Sequence, residues 1–286
     1  MTRTAVFCVL ALLGFAANSL LTRLALRPGL IDPASFVAVR IATGALTLVL
    51  IARLRRPRAD VRGGGVLSAL LLFGYAAPFS YAYLRMTAGT GALVLFGSVQ
   101  VTMIGWGLLR GDRPRAAEWL GMIVALVGLA LLTLPGASRP DRSSLVLMIV
   151  AGVAWGAYSL RGRGNRDALG ATAGNFLRCL PLALLLAGWA WLAPTSVAGH
   201  LELKGTLLAS LSGAFASGVA YTFWYTALPG MSALVAALVQ LTVPVIAAAG
   251  AVALLAEPLT ARLVGSGAAV LGGVCLALAG RARRFK

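Results

Sequence analysis

Apolar residues in this chain come in long runs, not in alternation. Ten mostly apolar stretches, 4–26, 33–52, 64–84, 86–109, 116–134, 144–161, 169–193, 204–227, 230–254 and 261–280, are separated by short segments rich in Arg, Pro, Gly and Asp. Each run approaches or exceeds the roughly 20 residues that carry a helix across a hydrocarbon core. Backbone in lipid must satisfy its own hydrogen bonds, and no period-two polarity marks a β-barrel strand. The runs therefore predict spanning helices. The first run, after Met1-Thr2-Arg3, could be mistaken for a cleaved leader. Its match to 144–161 predicts a retained first helix.

The runs also repeat. Phe15, Ser19, Leu20 and Arg23 answer to Trp155, Ser159, Leu160 and Arg163, each 140 positions on. Tyr81 answers to Tyr221, Gln100 with Thr102 to Gln240 with Thr242, and Ala92-Leu93-Val94 to Ala233-Leu234-Val235. After a short gap Pro114, Gly121 and Gly128 answer to Pro258, Gly265 and Gly272. An odd number of spans per repeat forces the halves to cross the membrane in opposite directions, the architecture of secondary transporters with a midplane site between the halves. The expected fold is an all-α integral membrane protein of ten transmembrane helices. Two inverted five-helix repeats, 1–135 and 144–280, would surround a central cavity as one membrane domain. The turn-rich stretch Pro135–Arg142 marks their boundary.

Composition and charge sharpen this picture. The chain has 286 residues, of which 59% are hydrophobic and 12% charged, with mean hydropathy +0.89, and little sequence remains for an extramembrane domain. A net charge of +17 would ordinarily suggest nucleic acid, but its distribution argues otherwise. With the amino terminus inside, cytoplasmic segments collect Arg3, the cluster Arg53–Arg62, Arg110–Arg115, Arg161–Arg166 and Arg281–Lys286. Outside segments hold only Arg27, Arg85, Arg139, Arg142, Lys204 and Arg262. That asymmetry is the positive-inside rule and predicts cytoplasmic termini. The expected partners are the lipid bilayer and a small-molecule substrate, with no nucleic acid, in a monomer or weak homodimer.

Polar and aromatic groups at mid-depth are the candidates for function, since a polar group facing lipid is costly. Asn18, Gln100 and Gln240 carry amides that both donate and accept, suiting a zwitterionic or polar uncharged substrate, or else an interhelical hydrogen bond. Tyr75, Phe79, Trp155 and Tyr158 lie too deep for an interfacial belt and suit either helix packing or an apolar substrate wall. Tyr221, with Trp224 and Tyr225, crowds the inner end of the eighth run, where the latter two suit a belt; Trp189 and Trp191 also suit one. Pro78, Pro181 and Pro244 each remove a backbone donor within a run, either bending a helix for packing or freeing a carbonyl toward a cavity; Pro78 and Pro244 are the candidate hinges. Arg40 and Arg178 form another repeat pair, expected to reach a helix end or a carbonyl by snorkelling and to brace a gate; the alternative is a substrate carboxylate. Gly121, Gly128, Gly265, Gly267, Gly272 and Gly273 supply smooth faces for close packing of the fifth and tenth runs, or for a dimer contact.

The acidic residues, Asp32, Asp60, Asp112, Glu118, Asp141, Asp167, Glu202 and Glu257, all fall in loops or near run ends. No paired intramembrane aspartates, HExxH, Walker motif or haem-ligand pair occurs, so no enzyme and no cofactor are expected. Cys8, Cys179 and Cys275 lie in apolar runs without metal-binding spacing and read as small buried hydrophobes, and His200 stands alone in an outside loop.

The segments LLGFAANSLLTRLAL, AWGAYSL and AEPLTARLVGSGAAVLGGV resemble the EamA family of the drug/metabolite transporter superfamily, over essentially the whole chain. The first repeat departs from the Glu257-Pro258 pattern, having Arg113-Pro114 instead. The stretch GTGALVLFGSVQVTM is similar to the branch of YddG-type amino-acid exporters. The resemblance implies a bacterial inner-membrane protein with runs 1, 3, 4, 6, 8 and 9 around the cavity and 5 and 10 peripheral. It also implies export of neutral, often aromatic, amino acids. A permease for another metabolite or drug is the alternative, and a non-transporting scaffold or regulatory subunit the alternative of another class. With no carboxylate at mid-span and a neutral amide at Asn18, facilitated movement of a neutral or zwitterionic species is expected.

Overall fold

A computed structural model describes residues 2–55, 61, 63–86, 88–133, 141–192, 199–255 and 259–282. The helices are α1 (Thr2–Leu26), α2 (Pro33–Arg55), α3 (Val66–Ala82), α4 (Ala88–Leu109), α5 (Ala116–Thr133), α6 (Arg142–Gly162) and α7 (Ala168–Leu192). They continue with α8 (Leu203–Leu211), α9 (Ala220–Ala227), α10 (Ala233–Gln240), α11 (Thr242–Leu255) and α12 (Ala261–Ala282). A π-helical segment, Ser212–Val219, joins α8 to α9 in one rod, and α10 and α11 form another, interrupted at Leu241. Among the described residues eight rods are long and apolar enough to cross a membrane, and α3 and α5 are shorter apolar helices. Large side chains such as Val101, Leu185 and Phe215 point outward, as a lipid-facing surface requires.

The near face of the bundle carries the start of α1, the other the end of α1. At the far face the turn after α1 meets the segment before α8: Ile31 and Leu201 form an antiparallel bridge, and Asp32 N–H donates to the His200 carbonyl at 2.8 Å. At the near face the loop before α3 meets the start of α7, where Gly64, at φ +74°, leaves room for Asn175 Oδ1. A Cβ at Gly64 would stand 2.1 Å from that oxygen.

Helix pairs are set by small residues. A Cβ at Gly121 would meet the Gly273 carbonyl at 2.4 Å, and one at Gly273 the Gly121 carbonyl at 2.5 Å, so α5 and α12 touch backbone to backbone. Gly128 does the same against Val270 N and Ser266 O. Gly265 and Gly272 meet nothing and face outward. The glycine face at Gly121, Gly128 and Gly273 is thus occupied within the chain, which leaves the dimer contact without that surface. Elsewhere α3 packs on α6, α2 on α7, α1 on α9 and on α11, and α4 on α6 and on α10.

Several expectations need correcting. Trp224 and Tyr225 are no belt residues: both are fully buried, Trp224 donating to Ser159 Oγ at 3.0 Å and Tyr225 to the Tyr158 carbonyl at 3.2 Å. Trp189 and Trp191 are exposed over more than half their surface. Cys275 is exposed, unlike buried Cys8 and Cys179. Helices α3 and α7 run unbroken across Pro78 and Pro181. At Pro244 the chain does break: the missing donor would have faced the Gln240 carbonyl, and α10 ends at Gln240. The boundary stretch 134–140 and the Glu257-Pro258 turn lie outside the described residues.

Candidate functional site

The bundle centre holds an aromatic cage around Trp155 of α6. Its ring meets Phe15 edge-on at 5.2 Å, Tyr75 at 5.0 Å and Tyr221 at 4.8 Å between centroids, and stacks on Tyr158 at 5.6 Å. These four rings come from α1, α3, α9 and α6, which fixes the relative position of those helices. Between them lies a cavity of about 20 Å³ bounded by Phe15, Asn18, Tyr75, Phe79, Trp155 and Tyr221, with Leu95 and Phe96 of α4 and Val243 of α11. Its space is about that of one water molecule. A second cavity of about 190 Å³ shares Ser19, Leu95, Phe96 and Val243 with it and runs toward the far face past Arg23, Tyr83, Leu132, Pro244 and Ala251. The two cavities adjoin at those four residues, the wider one toward the far face and the narrow one at the centre. Toward the near face the narrow one ends on the buried Tyr221–Trp224–Tyr225 layer and on Phe7 against Phe223, with centroids 5.5 Å apart.

The polar fittings of the wall are specific. Asn18 Oδ1 accepts from the Ser212 hydroxyl at 2.6 Å, and Asn18 Nδ2 donates to the Tyr75 hydroxyl at 3.5 Å. Arg40 is fully buried behind the wall, its guanidinium carbon 5.4 Å from the Tyr75 ring centroid. Its Nε donates to Ser217 Oγ at 2.8 Å and its Nη2 to the Tyr221 hydroxyl at 2.6 Å, while Nη1 has no partner. Ser212 and Ser217 both belong to the π segment, whose wider turn presents one serine to α1 and one to α2; such bulges recur at functional sites. Gly213 permits this approach, since a Cβ there would stand 2.2 Å from the Arg40 carbonyl.

The expected site residues therefore divide. Asn18, Tyr75, Phe79, Trp155 and Tyr221 line the central cavity. Gln100, Gln240 and Tyr158 stand outside its lining. Gln240 Oε1 accepts from Trp155 Nε1 at 2.6 Å, and its Nε2 donates to the Ala236 carbonyl at 2.9 Å. Gln100 Nε2 donates across to the Ala237 carbonyl at 2.7 Å, and its buried Oε1 is unpartnered. Tyr158 accepts from Asn175 at 3.4 Å. These three are wall braces in this structure, because hydrogen bonds to the facing helix turn them away from the cavity. Pro244 lines the wider cavity; Pro78 does not line either. Arg178 reaches the carbonyls of Gly63 and Gly174 at 2.8 and 3.0 Å, the contact type expected. Arg40 does not snorkel: Ser217 of the π segment and Tyr221 of α9 supply hydroxyls at depth, so its head stays in the core. Phe15, Ser212 and Ser217 escaped the sequence reading; Phe15 was signalled by its repeat position opposite Trp155.

The family model described as the EamA-like transporter family matches residues 142–279. An uncharacterized protein of Pseudomonas aeruginosa is 51% identical over 284 residues, covering 99% of this chain and 96% of its own length. A solved crystal structure, 20% identical, superposes with a TM-score of 0.81 over 98% of this chain and 99% of that one, a likeness of fold.

Proposed function

The chain belongs to the EamA-like transporter family, a multi-pass membrane transporter of the drug/metabolite type, and from that premise we propose that it exports neutral or aromatic amino acids, or small metabolites of similar shape, by alternating access. The observation that carries this reading is a mid-bundle cavity walled by aromatic rings and one amide, adjoining a wider cavity toward one face and backed by packed aromatics toward the other. The aromatic wall suits a flat apolar side chain, and the Asn18 amide suits a polar head group.

The helix pairing supports two inverted repeats, 1–135 and 144–280. Exchange of halves maps the α3–α6 contact onto that of α9 with α1, maps α4–α6 onto α11–α1, and leaves α2–α7 and α5–α12 self-paired. Gln100 and Gln240 support it too, each reaching the other's helix. With the positive-inside distribution, the near face is cytoplasmic and both termini lie on the cytoplasmic side of the bacterial inner membrane. The described conformation then faces outward. Neither cavity is lined by a carboxylate, which supports facilitated movement without proton exchange.

The test is flux into proteoliposomes across a panel of labelled neutral amino acids, nucleosides, sugars and hydrophobic drugs. Saturable flux of phenylalanine or a similar neutral amino acid, with no imposed pH difference, is expected. Flux of a nucleoside or drug alone moves the assignment to that permease class. No flux of any member above protein-free vesicles refutes transport.

A further inference from the structure

We propose that the central cavity recognises its cargo by a carboxylate set against the charge of Arg40, and that an ammonium group adds nothing to recognition. The cargo class then extends from amino acids to apolar monocarboxylates. This inference rests on the cavity being the transport site, as proposed above.

The wall is built of donors. The Oδ1 of Asn18 accepts from Ser212 and one Nδ2 hydrogen goes to Tyr75, so the amide offers its second N–H. The Tyr75 hydroxyl accepts from Asn18 and the Tyr221 hydroxyl accepts from Arg40, and the two phenols lie within hydrogen-bonding reach of each other, so the pair keeps one O–H to donate. Trp155 spends its N–H on Gln240, so the indole contributes only its apolar face. The Ser19 hydroxyl is committed to the Phe15 carbonyl at 3.2 Å. No acidic side chain lines either cavity, so an ammonium group would find no counter-charge.

The charge agrees with the donors. A guanidinium at this depth is costly, and intramembrane arginines usually meet a carboxylate or mark a substrate path. Arg40 is held by the Ser217 and Tyr221 hydroxyls with the Tyr75 hydroxyl beside it, and Nη1 is buried with no partner among the described residues. Accepting from a cation strengthens the Tyr221 O–H as a donor, so the positive potential is transmitted to the cavity wall. Arg23 at the wider cavity places a second cation on the same path. One buried charge behind two free donors, the Asn18 N–H and one phenol O–H, suits a planar monoanion with two acceptor oxygens. The apolar body then lies against Leu95, Phe96 and Val243, which the central cavity shares with the wider one of about 190 Å³.

Four probes share one phenylethyl body and differ only in the head: 3-phenylpropionate, phenylalanine, 3-phenylpropanamide and 2-phenylethylamine. Calorimetry on the purified full-length protein should give 3-phenylpropionate and phenylalanine affinities within about threefold of each other. Both should exceed the amide and the amine by about tenfold or more, the size of one charge-assisted contact. Arg40→Gln should bring the ratio of carboxylate to amide affinity close to one. Tyr221→Phe, a milder change, should lower the ratio several-fold and serves if Arg40→Gln does not fold. Equal binding of amine and carboxylate, no binding of any probe, or an unchanged ratio in a folded Arg40→Gln or in Tyr221→Phe overturns the proposal. Proteoliposome flux of the same probes separates the two readings. Carboxylate-selective binding without flux removes transport and keeps recognition, whereas equal flux of amine and carboxylate keeps transport and removes recognition.

Discussion

Gln240 is expected to act on the cavity through Trp155, and a double-mutant cycle measures that contact. The Trp155 N–H is buried in an aromatic cage and its hydrogen-bond partner is Gln240 Oε1 at 2.6 Å. Gln240→Leu keeps much of the volume but strands that donor. An unsatisfied buried polar group costs about 1–3 kcal/mol, whereas interhelical hydrogen bonds within lipid average about 0.6 kcal/mol because the unfolded chain also finds partners. Trp155→Phe strands the amide oxygen instead, and additionally opens a void beside Tyr75 and Tyr221. In the double variant neither group is left over, so the combined loss should fall short of the sum by about 0.6–1.5 kcal/mol. Residues in contact are where such non-additivity is expected. Reversible denaturation in mixed micelles reads the four stabilities. Additive losses within error would refute the assignment of Gln240 as the brace of Trp155.

The other predictions are simpler. Trp155→Ala removes the hub of the cage and should reduce flux of bulky substrates at least tenfold per folded molecule; unchanged flux in proteoliposomes would take the cage out of the site. Gly121→Leu should separate α5 from α12, because a Cβ already meets Gly273 O at 2.4 Å, and should lower the melting temperature, while Gly272→Leu, facing open space, should change it little; equal effects would contradict this packing. Asp141 caps α6 through the hydroxyl of Ser143 and the backbone N–H of Ser144, hydrogen bonds that hold its pKa down to about 2 against an ordinary 3.8. A depressed carboxylate pKa stabilises above the ordinary value and loses that contribution as pH falls through the lower one. The stability gap between wild type and Asp141→Ala should therefore be full above pH 4 and close between about pH 4 and pH 2; a gap unchanged over that window would contradict the cap.

Run length and repeat offset made the helices and much of the cavity legible. An apolar run of span length leaves a chain in lipid few alternatives to a helix, and mid-depth aromatics picked out Tyr75, Phe79, Trp155 and Tyr221, though not Phe15. Azimuth was not legible. Helix α4 is apolar on every side, and within a lipid bundle an outward face is as hydrophobic as an inward one, so nothing in the sequence tells whether Gln100 looks into a cavity or across to α10. Depth alone placed Gln240 and Tyr158 with the lining residues, although both are turned to neighbouring helices. Arg40 was misjudged for a different reason. Snorkelling follows from a long side chain on a regular helix, but here Ser217 of the π segment and Tyr221 of α9 meet the guanidinium at depth. A one-residue widening of a helix leaves no periodic signal in an already apolar run.

The central claim, a substrate path open at the far face and leading to the Trp155 cage, is tested most directly by blocking that path. Ala247 lines the wider cavity, and Ala247→Cys can be built in a background with Cys8, Cys179 and Cys275 replaced by Ala. A membrane-impermeant thiol reagent added outside intact cells should modify that cysteine, and the protein reconstituted from those cells should lose counterflow of phenylalanine, with saturating substrate slowing the modification. Complete modification with full counterflow retained, or modification only from the cytoplasmic side, would contradict the account.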